Sequence, residues 1–345
     1  MSADGAILVT GASGFLGRHV LAALAAREPK RPLVALARDP DALRAQPWLS
    51  PDVEIVRGSL TEAGDWAADA RLRRLAGIAH LAALVRHSRS HPEPQLRTNV
   101  EGTLAALRAA AQLGCRCVFV STSGTVACFA SAHEIAYEDA PFCERAVARW
   151  PYYTSKIRAE QRARELAQRL GVELVVVRPP VLLGPGDHRL RSTAHVARLL
   201  DGELPFAIQG GFAFLDVRDA ASAIAVALLH PRPEPVYHLP GANWTLPRFF
   251  QSIGELAGRP TPRVVLPGAL ARALAALLEP ARARWPGLQR LPDPVVLEMG
   301  SRYWAIGSRH AQRDLAHAPR EPQATLRDTI EWLERARPLR AQHLA

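Results

Sequence analysis

Tyr152 and Lys156 stand four residues apart in the middle of the chain, and this spacing places two side chains on one face of a helix. A free tyrosine has a pKa of about 10, too high for efficient proton exchange at neutral pH. A fixed ammonium group nearby would stabilise the phenolate and lower that pKa. Lys30 and Lys156 are the only lysines among 43 basic residues, which indicates a specific need for lysine here. The pair predicts an acid–base centre, and an exposed pair on an amphipathic helix is the alternative.

A set of hydroxyl groups follows a strand-like run at 117–121, where the chain reads Ser121, Thr122, Ser123 and Gly124. At the carboxyl end of a parallel strand, side chains face the ligand crevice. A hydroxyl there can donate a hydrogen bond to a substrate carbonyl oxygen and hold it near a proton donor. We expect Ser123 to act with Tyr152 and Lys156 in this way, with Thr122 as the second candidate. A hydroxyl that only caps the strand end is the alternative.

The segment 10–17 reads TGASGFLG, directly after an apolar run and before a helical pattern. Its first glycine, Gly11, permits a tight turn, Gly14 lets the backbone approach a pyrophosphate, and Gly17 lets the helix pack closely on the strand. The amino end of the helix then offers free N–H groups and a positive dipole to the phosphates. We therefore predict a dinucleotide site in this loop. Its other members are Ser13, Phe15 and Leu16.

The residue that follows the second strand separates NAD sites from NADP sites. An acidic residue there holds the ribose 2′-hydroxyl of NAD, whereas an arginine accommodates the 2′-phosphate of NADP. This chain has Arg38 at that point, and a guanidinium can form a bidentate pair with a phosphate and stack on adenine. Arg18 and Arg44 are further candidates for this contact. NADP(H) is the predicted cofactor, and NAD(H) bound through Asp39 is the alternative.

Short runs rich in Val, Ile and Leu alternate with helical patterns through the first half of the chain, as expected for strands that are buried on both faces of a parallel sheet. The strand-like runs are 6–10, 33–37, 53–56, 77–81, 117–121 and 172–178. Helical patterns lie at 19–27, 95–113 and 152–170, the last flanked by Pro151 and Gly171. Together they predict an α/β fold with a doubly wound parallel sheet, the Rossmann fold.

After Arg178, prolines and glycines break this regularity, and helices are expected at about 191–201, 219–229, 246–257 and 326–335. We predict a dinucleotide-binding Rossmann domain over 1–178, to which 213–238 returns. A smaller, interleaved substrate-binding region is formed by 179–212 and 239–345.

The composition is globular, since 48% of the 345 residues are hydrophobic and 22% are charged. Most of the positive charge in the net charge of +10 comes from arginine. Codon bias can explain this excess of arginine, and a basic face for an anionic ligand is the alternative. The sequence has no basic block with interleaved aromatic residues, the pattern that would indicate nucleic-acid binding.

The four cysteines lack metal-ligand spacing, which predicts reduced thiols, no metal and a cytoplasmic protein. A strand that begins within six residues leaves no room for a signal peptide, and no apolar run reaches the ~18 residues of a membrane span.

In order and spacing these features resemble the extended short-chain dehydrogenase/reductase family, and the resemblance covers nearly the whole chain. Beyond the segments above, it rests on HLAA at 80–83, NVEGT at 99–103, RPP at 178–180, GPGD at 184–187, DVRDA at 216–220 and YHL at 237–239. Arg38 and the RPP segment look most like the dihydroflavonol-reductase and 3β-hydroxysteroid-dehydrogenase branch of this NAD-dependent epimerase/dehydratase family.

The resemblance implies further cofactor contacts and a partner. Lys156 is expected to hold the nicotinamide ribose as well as to assist Tyr152, and residues 179–182 are expected beside the nicotinamide. Ser59 stands where the family has an Asp near adenine, and its hydroxyl can still form a hydrogen bond. A homodimer through the helices at 95–113 and 152–170 is implied. The remaining expected cofactor residues are Leu60, Leu81, Ala82, Ala83, Asn99, Ser121, Pro179, Val181 and Leu182.

Two reactions compete. In a reductase, hydride passes from the nicotinamide to a carbonyl carbon while Tyr152 supplies the proton; in an epimerase, hydride is taken from a nucleotide sugar and returned to the other face. Sugar-nucleotide members carry an Asn where Val181 stands, and the Asp–Glu pair of related dehydratases is replaced by Gly124 and Thr125. We therefore expect an NADP(H)-dependent oxidoreductase of lipophilic carbonyl compounds or alcohols. A dinucleotide-binding regulatory protein without turnover is a third alternative.

The substrate site is expected to include Val85, Ser123, Gly124, Tyr152 and His188. The loop at 85–94 contains further histidines, which are more typical of solvated loops than of catalysis. Leucines at helical spacing over 269–278, with arginines nearby, predict a lid helix over an apolar substrate. An interfacial helix on a membrane surface is the alternative.

Overall fold

The computed structural model describes residues 5–62, 66–285 and 293–336. Its β-strands are β1 Ala6–Thr10, β2 Leu33–Ala37, β3 Glu54–Arg57, β4 Leu75–His80, β5 Arg116–Val120, β6 Leu174–Arg178, β7 Val181–Leu183, β8 Ala207–Ile208, β9 Gly211–Asp216, β10 Val236–His238, β11 Ala242–Thr245, β12 Val265–Leu266 and β13 Tyr303–Trp304. Its α-helices are α1 Phe15–Arg27, α2 Pro40–Arg44, α3 Glu93–Leu96, α4 Gly102–Gln112, α5 Glu144–Val147, α6 Pro151–Leu170, α7 Ala194–Leu200, α8 Val217–Leu229, α9 Leu246–Ala257, α10 Gly268–Arg284, α11 Pro294–Gly300, α12 Ala311–Leu315 and α13 Pro322–Arg335.

Seven strands form the main sheet, in the order β10-β6-β5-β4-β1-β2-β3. Every pairing within this sheet is parallel. The strand order reverses between β1 and β4, and in such sheets a ligand crevice opens at the carboxyl ends of the strands at the reversal. The predicted doubly wound α/β fold is confirmed.

The two faces of the main sheet are both covered by helices. Ile7 and Val9 of β1 are buried in a core with residues of α1 and α8. Leu8, between them, faces the other way into a core with residues of α4 and α6. Because alternate side chains of a strand meet two apolar layers, the strand needs hydrophobic residues at every position. This requirement produces the continuous apolar runs seen in the sequence.

The helix that carries the predicted acid–base pair, α6, begins and ends where the sequence indicates. Pro151 occupies its first turn, where a missing backbone N–H breaks no helical hydrogen bond. Gly171 ends it in the left-handed conformation, with φ of +67°, which glycine adopts without strain. The helix therefore holds Tyr152 in its first turn and Lys156 one turn later.

The helical pattern at 95–113 is not one regular α-helix. A π-helical segment, Arg97–Glu101, joins α3 to α4. From the start of α4, the hydroxyl of Thr103 donates a hydrogen bond of 2.7 Å to the carbonyl oxygen of Asn99 in this segment. This interruption turns the buried side chain of Asn99 towards the loop after β4.

The smaller region has a sheet of its own, in which β9 pairs with β7, β11 and β13. Helices α7, α9 and α13 cover it around a core that contains Phe214, Trp244 and Phe249. Helix α8 and strand β10 return to the main sheet, where β10 pairs with β6. Strand β9 stays in the small sheet, so the expected return to the main sheet begins at Val217 rather than at residue 213. The domain boundary at 178 stays a prediction.

Candidate active site

The turn from β1 into α1 is packed so tightly that its glycines have no room for a side chain. Gly11 has a φ of +71°, and a Cβ there would lie 2.8 Å from the backbone nitrogen of Ala82. A Cβ on Gly17 would lie 2.2 Å from the carbonyl oxygen of Gly11. Gly14, the residue before α1, provides no capping side chain, so the first N–H groups of the helix are available to an anion. This backbone cradle fits the pyrophosphate of a dinucleotide.

Loops after β4 and β5 border the cradle. The backbone N–H of Ala82 donates a 3.3 Å hydrogen bond to the hydroxyl of Thr10, which holds the loop after β4 against the glycine turn. Ser121, just after β5, is buried, and its Oγ has no hydrogen-bond partner among the residues that the structure describes. A buried hydroxyl without a partner is costly, so Ser121 fits a ligand that supplies one. Half-buried neighbours at these strand ends and turns are Phe15, Leu16, Ser59, Leu60, Leu81, Ala83, Val181 and Leu182, while Ser13 is exposed and Pro179 is buried.

Arg38 lies exposed just after β2, and no hydrogen bond or ion pair engages its guanidinium within the described ranges. The neighbouring Asp39 accepts a hydrogen bond of 3.0 Å from the backbone of Ala42 and so caps α2. The carboxylate that could hold the ribose of NAD is therefore engaged in a helix cap. The arginine is free to bind a phosphate.

The further candidates for the phosphate contact are both engaged elsewhere. The guanidinium of Arg44 donates to three carbonyl oxygens in the loop before β3, the shortest bond being 2.6 Å to Val53. A contact of Arg44 with the phosphate would require it to give up these bonds, and that contact stays a prediction. Arg18 lies over the ring of Trp48 at 5.2 Å and forms a 3.0 Å hydrogen bond with His188.

Lys156 is buried at the carboxyl end of β5. Its Nζ donates a hydrogen bond of 2.7 Å to the carbonyl oxygen of Val120 and lies 4.4 Å from the ring centre of Phe119. Burial lowers the pKa of Lys156 to about 7, and the nearby Glu160 carboxylate opposes this shift. The bond to Val120 uses one of the three ammonium hydrogens. The other two remain available to bind a ribose hydroxyl and a phenolate.

Tyr152 differs from the expectation in the direction of its pKa. Burial raises the pKa of Tyr152 to about 12, and a hydrogen bond with the side chain of Thr122 opposes the rise. The cost of placing a phenolate away from water thus exceeds the effect of this hydrogen bond. The hydroxyl that interacts with Tyr152 is that of Thr122, the second candidate from the sequence. The role of Ser123 stays a prediction.

A mainly apolar cavity of about 260 Å³ reaches the predicted catalytic segment. Thr122, Ser123 and Gly124 form part of its wall, together with Tyr153. A Cβ on Gly124 would lie 2.1 Å from the Tyr153 ring, so glycine is needed for this ring to pack there. The small sheet and the helices around it supply most of the remaining wall, including Phe206, Ile208, Phe212, Phe250, Leu297 and Trp304.

Three predicted substrate residues lie outside this wall. His188 is exposed, contacting Arg18 and the edge of the Trp332 ring, so the prediction that it lines the substrate site is not supported by its position. Val85 and Tyr152 also stand apart from the cavity lining. Tyr152 nevertheless adjoins the cavity through Thr122.

Asn99 positions the catalytic helix instead of facing the open crevice. Its buried amide accepts a 2.7 Å hydrogen bond from the N–H of Leu84 and donates to the carbonyl of the same residue at 3.0 Å. It also donates a 2.9 Å hydrogen bond to the hydroxyl of Ser155 on α6. Both amide hydrogens are engaged in this way, so Asn99 links the loop after β4 to the catalytic helix. The expected contact of Asn99 with a cofactor stays a prediction.

Two histidines near the site, His87 and His195, are not among the site residues expected from the sequence. His87 packs its ring edge-on against Tyr152, with the centroids 5.2 Å apart, and burial lowers its pKa to about 4. His195 on α7 lines the cavity. The only signal for His87 was its position in the loop after β4, and the position of His195 depends on packing between regions distant in sequence.

Helix α11 forms part of the cavity wall, whereas the predicted lid helix, α10, packs against α11. Val296 and Leu297 of α11 line the cavity, and Leu297 shares a small core with Ala271 and Ala275 of α10. The leucines of α10 are not part of the cavity wall, and Leu277 is 71% exposed. The expectation that α10 covers the substrate therefore has no support from the lining of this cavity and stays a prediction.

Arg89 connects the loop after β4 to α10 and α11. It forms an ion pair of 2.7 Å with Glu279 of α10 and a second ion pair with Glu298 of α11. Glu298 also accepts a 2.9 Å hydrogen bond from the indole of Trp150, just before α6. This network fixes α11 over the start of the catalytic helix.

Glu234, His310 and Asp314 hold ligand atoms within 4.8 Å of one another, a separation that one ion could bridge. Arg313 donates to Glu234 at 3.0 Å and to Asp314 at 2.5 Å, so a cation is already present between the carboxylates. In the parts of the chain that the structure covers, no helix is both long and apolar enough to cross a membrane.

A glycine-cradled crevice at the reversal point of a parallel sheet defines a Rossmann-fold protein of the NAD(P)-binding class. Residues 7–240 match the sequence model of the "NAD dependent epimerase/dehydratase family". The chain belongs to this family, within the extended short-chain dehydrogenases/reductases.

Several proteins with sequences similar to this chain are named as reductases. Cinnamoyl-CoA reductase 1 of Oryza sativa subsp. japonica is 34% identical over 242 residues, covering 66% of this chain and 68% of the relative. Dihydroflavonol 4-reductase of Zea mays is 31% identical over 198 residues, or 53% of this chain, and the chain spans about half (54%) of that relative. Sterol demethylase protein B of Methylococcus capsulatus is 27% identical over 333 residues, covering 94% and 97% of the two chains.

Solved structures share the whole architecture. The crystal structure of gox2253 superposes with a TM-score of 0.80 at 25% identity, covering 96% of this chain and 98% of that one. MoeE5 in complex with UDP-glucose and NAD gives a TM-score of 0.70 at 25% identity, with coverage of 96% and 99%. Together with the family match, these likenesses place the chain among NAD(P)-dependent enzymes of the reductase and epimerase type.

Proposed function

We propose that this chain is an NADP(H)-dependent oxidoreductase that transfers hydride between nicotinamide and a lipophilic carbonyl compound or the corresponding alcohol. The observation that carries the proposal is the apolar cavity that reaches Thr122 and Ser123, beside Tyr152. An apolar wall favours an apolar substrate, because removal of apolar surface from water supplies the binding energy.

NADP(H) is proposed as the cofactor because Arg38 offers a free guanidinium where the 2′-phosphate is expected, while Asp39 caps α2. The backbone N–H groups of Phe15 and Leu16, in the first turn of α1, would hold the pyrophosphate, and the unpartnered hydroxyl of Ser121 would gain a partner. When bound, NADPH supplies the hydride. Lys156 would hold the nicotinamide ribose.

The chain's own residues manage the proton and the substrate oxygen. The hydroxyls of Thr122 and Ser123 can donate hydrogen bonds to a carbonyl oxygen and hold it near the phenol of Tyr152. Tyr152 donates its proton to this oxygen as the carbonyl becomes an alcohol. The pKa of about 12 keeps the phenol protonated and ready to donate. The ammonium of Lys156, held by Val120, stabilises the phenolate that remains.

The names of the relatives support reduction. Those that match this chain include a cinnamoyl-CoA reductase, dihydroflavonol 4-reductases and a ceramide reductase. Each name describes a substrate with an extended apolar part. An apolar cavity beside a Tyr–Lys pair is the feature that this chain would use for a substrate of that kind.

A nucleotide-sugar epimerase is the second candidate, since structures with UDP-glucose and NAD share the fold. The composition of the cavity opposes it. The position where the sugar-nucleotide members carry an Asn is occupied by Val181, and Val181 forms part of the apolar wall. A polar diphosphate would lose its hydration there without gaining matching hydrogen bonds.

The test is a calorimetric titration of the protein with NADPH and NADH, followed by NADPH oxidation against lipophilic ketones and aldehydes. The proposal predicts tighter binding of NADPH and turnover of at least one apolar carbonyl compound. Tight retention of NAD together with interconversion of nucleotide sugars would establish the epimerase instead. If Tyr152→Phe leaves the biological phenotype intact, the chain is a dinucleotide-binding regulatory protein.

A further inference from the structure

His195 carries a buried nitrogen that the fold leaves unsatisfied. The residue lies on α7 and lines the same cavity as Thr122 and Ser123. Its Nε2 is buried and has no hydrogen-bond partner in the described parts of the chain. The ring centroid lies 5.8 Å from that of Phe212 and 5.3 Å from that of Phe249. The imidazole is thus fixed by aromatic packing, and a buried polar atom of this kind destabilises the protein unless a ligand satisfies it.

The polar groups on α7 favour an uncharged ligand group. Burial lowers the pKa of His195 to about 4 although the carboxylate of Asp187 opposes the shift, so the imidazole is neutral at physiological pH and can accept or donate one hydrogen bond at Nε2. Arg198, one turn later on α7, also lines the cavity. Its guanidinium already forms an ion pair of 3.7 Å with Glu203. A hydroxyl or carbonyl oxygen therefore suits this wall better than a carboxylate or phosphate does.

We propose that His195 determines substrate specificity, by forming a hydrogen bond from Nε2 to a second, uncharged oxygen function of an otherwise apolar carbonyl substrate. The inference rests on the proposed function, which places the reacting carbonyl at Thr122 and Ser123. A substrate without the second oxygen would bury Nε2 unsatisfied, and a site built to bond a polar group discriminates strongly against analogues that lack it. The substrate class is therefore a hydroxylated or second-carbonyl-bearing lipophilic ketone or aldehyde.

The kinetic test uses phenylcyclohexanones in matched pairs, with and without one phenolic hydroxyl at the ortho, meta or para position. With NADPH, the wild type is expected to show a KM at least about tenfold lower for one hydroxylated member than for its unsubstituted partner. His195→Phe should remove this difference and change kcat by less than about threefold, because the residue acts on binding and not on proton transfer. His195→Gln, which keeps a hydrogen-bonding group, should retain part of the preference. Melting temperatures confirm that both variants fold.

Binding to the labelled imidazole separates this proposal from the proposed function. In nitrogen NMR, the Nε2 signal of His195, identified by its absence in His195→Gln, should shift with the hydroxylated compound and not with the unsubstituted one. A shift without turnover would support the hydrogen bond from His195 and contradict the reductase activity. Turnover without a shift, and with an unchanged preference for the hydroxylated compound in His195→Phe, would contradict the role of His195 and support the reductase activity. If no compound shifts the signal and none turns over, both are overturned.

Discussion

Lys156 Nζ donates a hydrogen bond of 2.7 Å to the carbonyl oxygen of Val120, the last residue of β5. The bond ties the catalytic helix α6 to the end of the strand that carries the hydroxyl segment 121–123. Because the ammonium is enclosed between a backbone carbonyl and the ring of Phe119, it is held away from water. This arrangement makes the charge of Lys156 sensitive to pH.

The first prediction concerns this charge. Burial lowers the pKa of Lys156 from 10.5 to about 7, so between these values the unfolded chain binds a proton that the folded chain does not. The free energy of unfolding then rises with pH across the window. Relative to Lys156→Met, the wild type should gain about 1 kcal/mol per pH unit between roughly pH 7.5 and 9.5, and nothing below about pH 6. Denaturant titrations at successive pH values measure this, and parallel curves for the two proteins would show that Lys156 stays charged.

The second prediction separates the two hydroxyl candidates. The side chain of Thr122 interacts with the phenol of Tyr152, and Ser123 lies next to it in the cavity wall. Loss of a donor to the reacting oxygen typically lowers kcat by about a hundredfold or more. We expect a loss of that size for Thr122→Val and less than about tenfold for Ser123→Ala, in steady-state rates with NADPH. The reverse order would assign the role to Ser123, as the sequence pattern suggested.

The third prediction concerns the choice of cofactor. Arg38→Leu should weaken NADPH binding about ten- to a hundredfold, because a charge-assisted hydrogen bond to a phosphate contributes about 1.5–3 kcal/mol. Binding of NADH, which lacks the phosphate, should be nearly unchanged. Arg108, exposed on α4, gives the matched control Arg108→Leu, with the same loss of charge. Calorimetry that finds equal losses for both dinucleotides, or equal effects of the two variants, contradicts the role of Arg38.

The fourth prediction concerns the glycine turn. Gly17→Ala places a Cβ 2.2 Å from the carbonyl oxygen of Gly11, so the turn must shift and both melting temperature and NADPH affinity should fall. Gly102→Ala is the control, since the nearest atom to its Cβ lies 3.5 Å away on Leu60 and its φ is −61°. Alanine is the better helix former, and this variant should melt at the same or a higher temperature. Equal behaviour of the two variants would show that the turn is not under steric constraint.

The sequence was sufficient for the features that depend on local chemistry. The parallel sheet produces apolar runs, the tight turn requires glycines at fixed spacing, and the first and last residues of α6 follow from Pro151 and Gly171. Each of these is specified by residues close together in the chain. Homodimerisation and the cytoplasmic location stay predictions.

The features that the sequence could not give depend on packing between distant segments. In the π-helical segment, the side chain of Asn99 bonds Leu84 and Ser155, which are distant in the sequence. The wall of the cavity includes residues from the turn after β5 and from α7, α9 and α11. No local sequence pattern indicates that α11, and not α10, lies next to the cavity. The hydrogen bonds from Arg44 to the loop carbonyls before β3 cannot be predicted from the pattern of strands and helices either.

The central claim is hydride transfer to an apolar carbonyl compound with Tyr152 as the proton donor. The most direct measurement uses NADPH deuterated at its transferable position together with a phenylcyclohexanone, and mass spectrometry of the product. The account predicts an alcohol that carries one deuterium on the former carbonyl carbon, with a rate at least about a hundredfold lower for Tyr152→Phe. An unlabelled product, an undiminished rate in Tyr152→Phe, or no alcohol from any lipophilic carbonyl compound would contradict it.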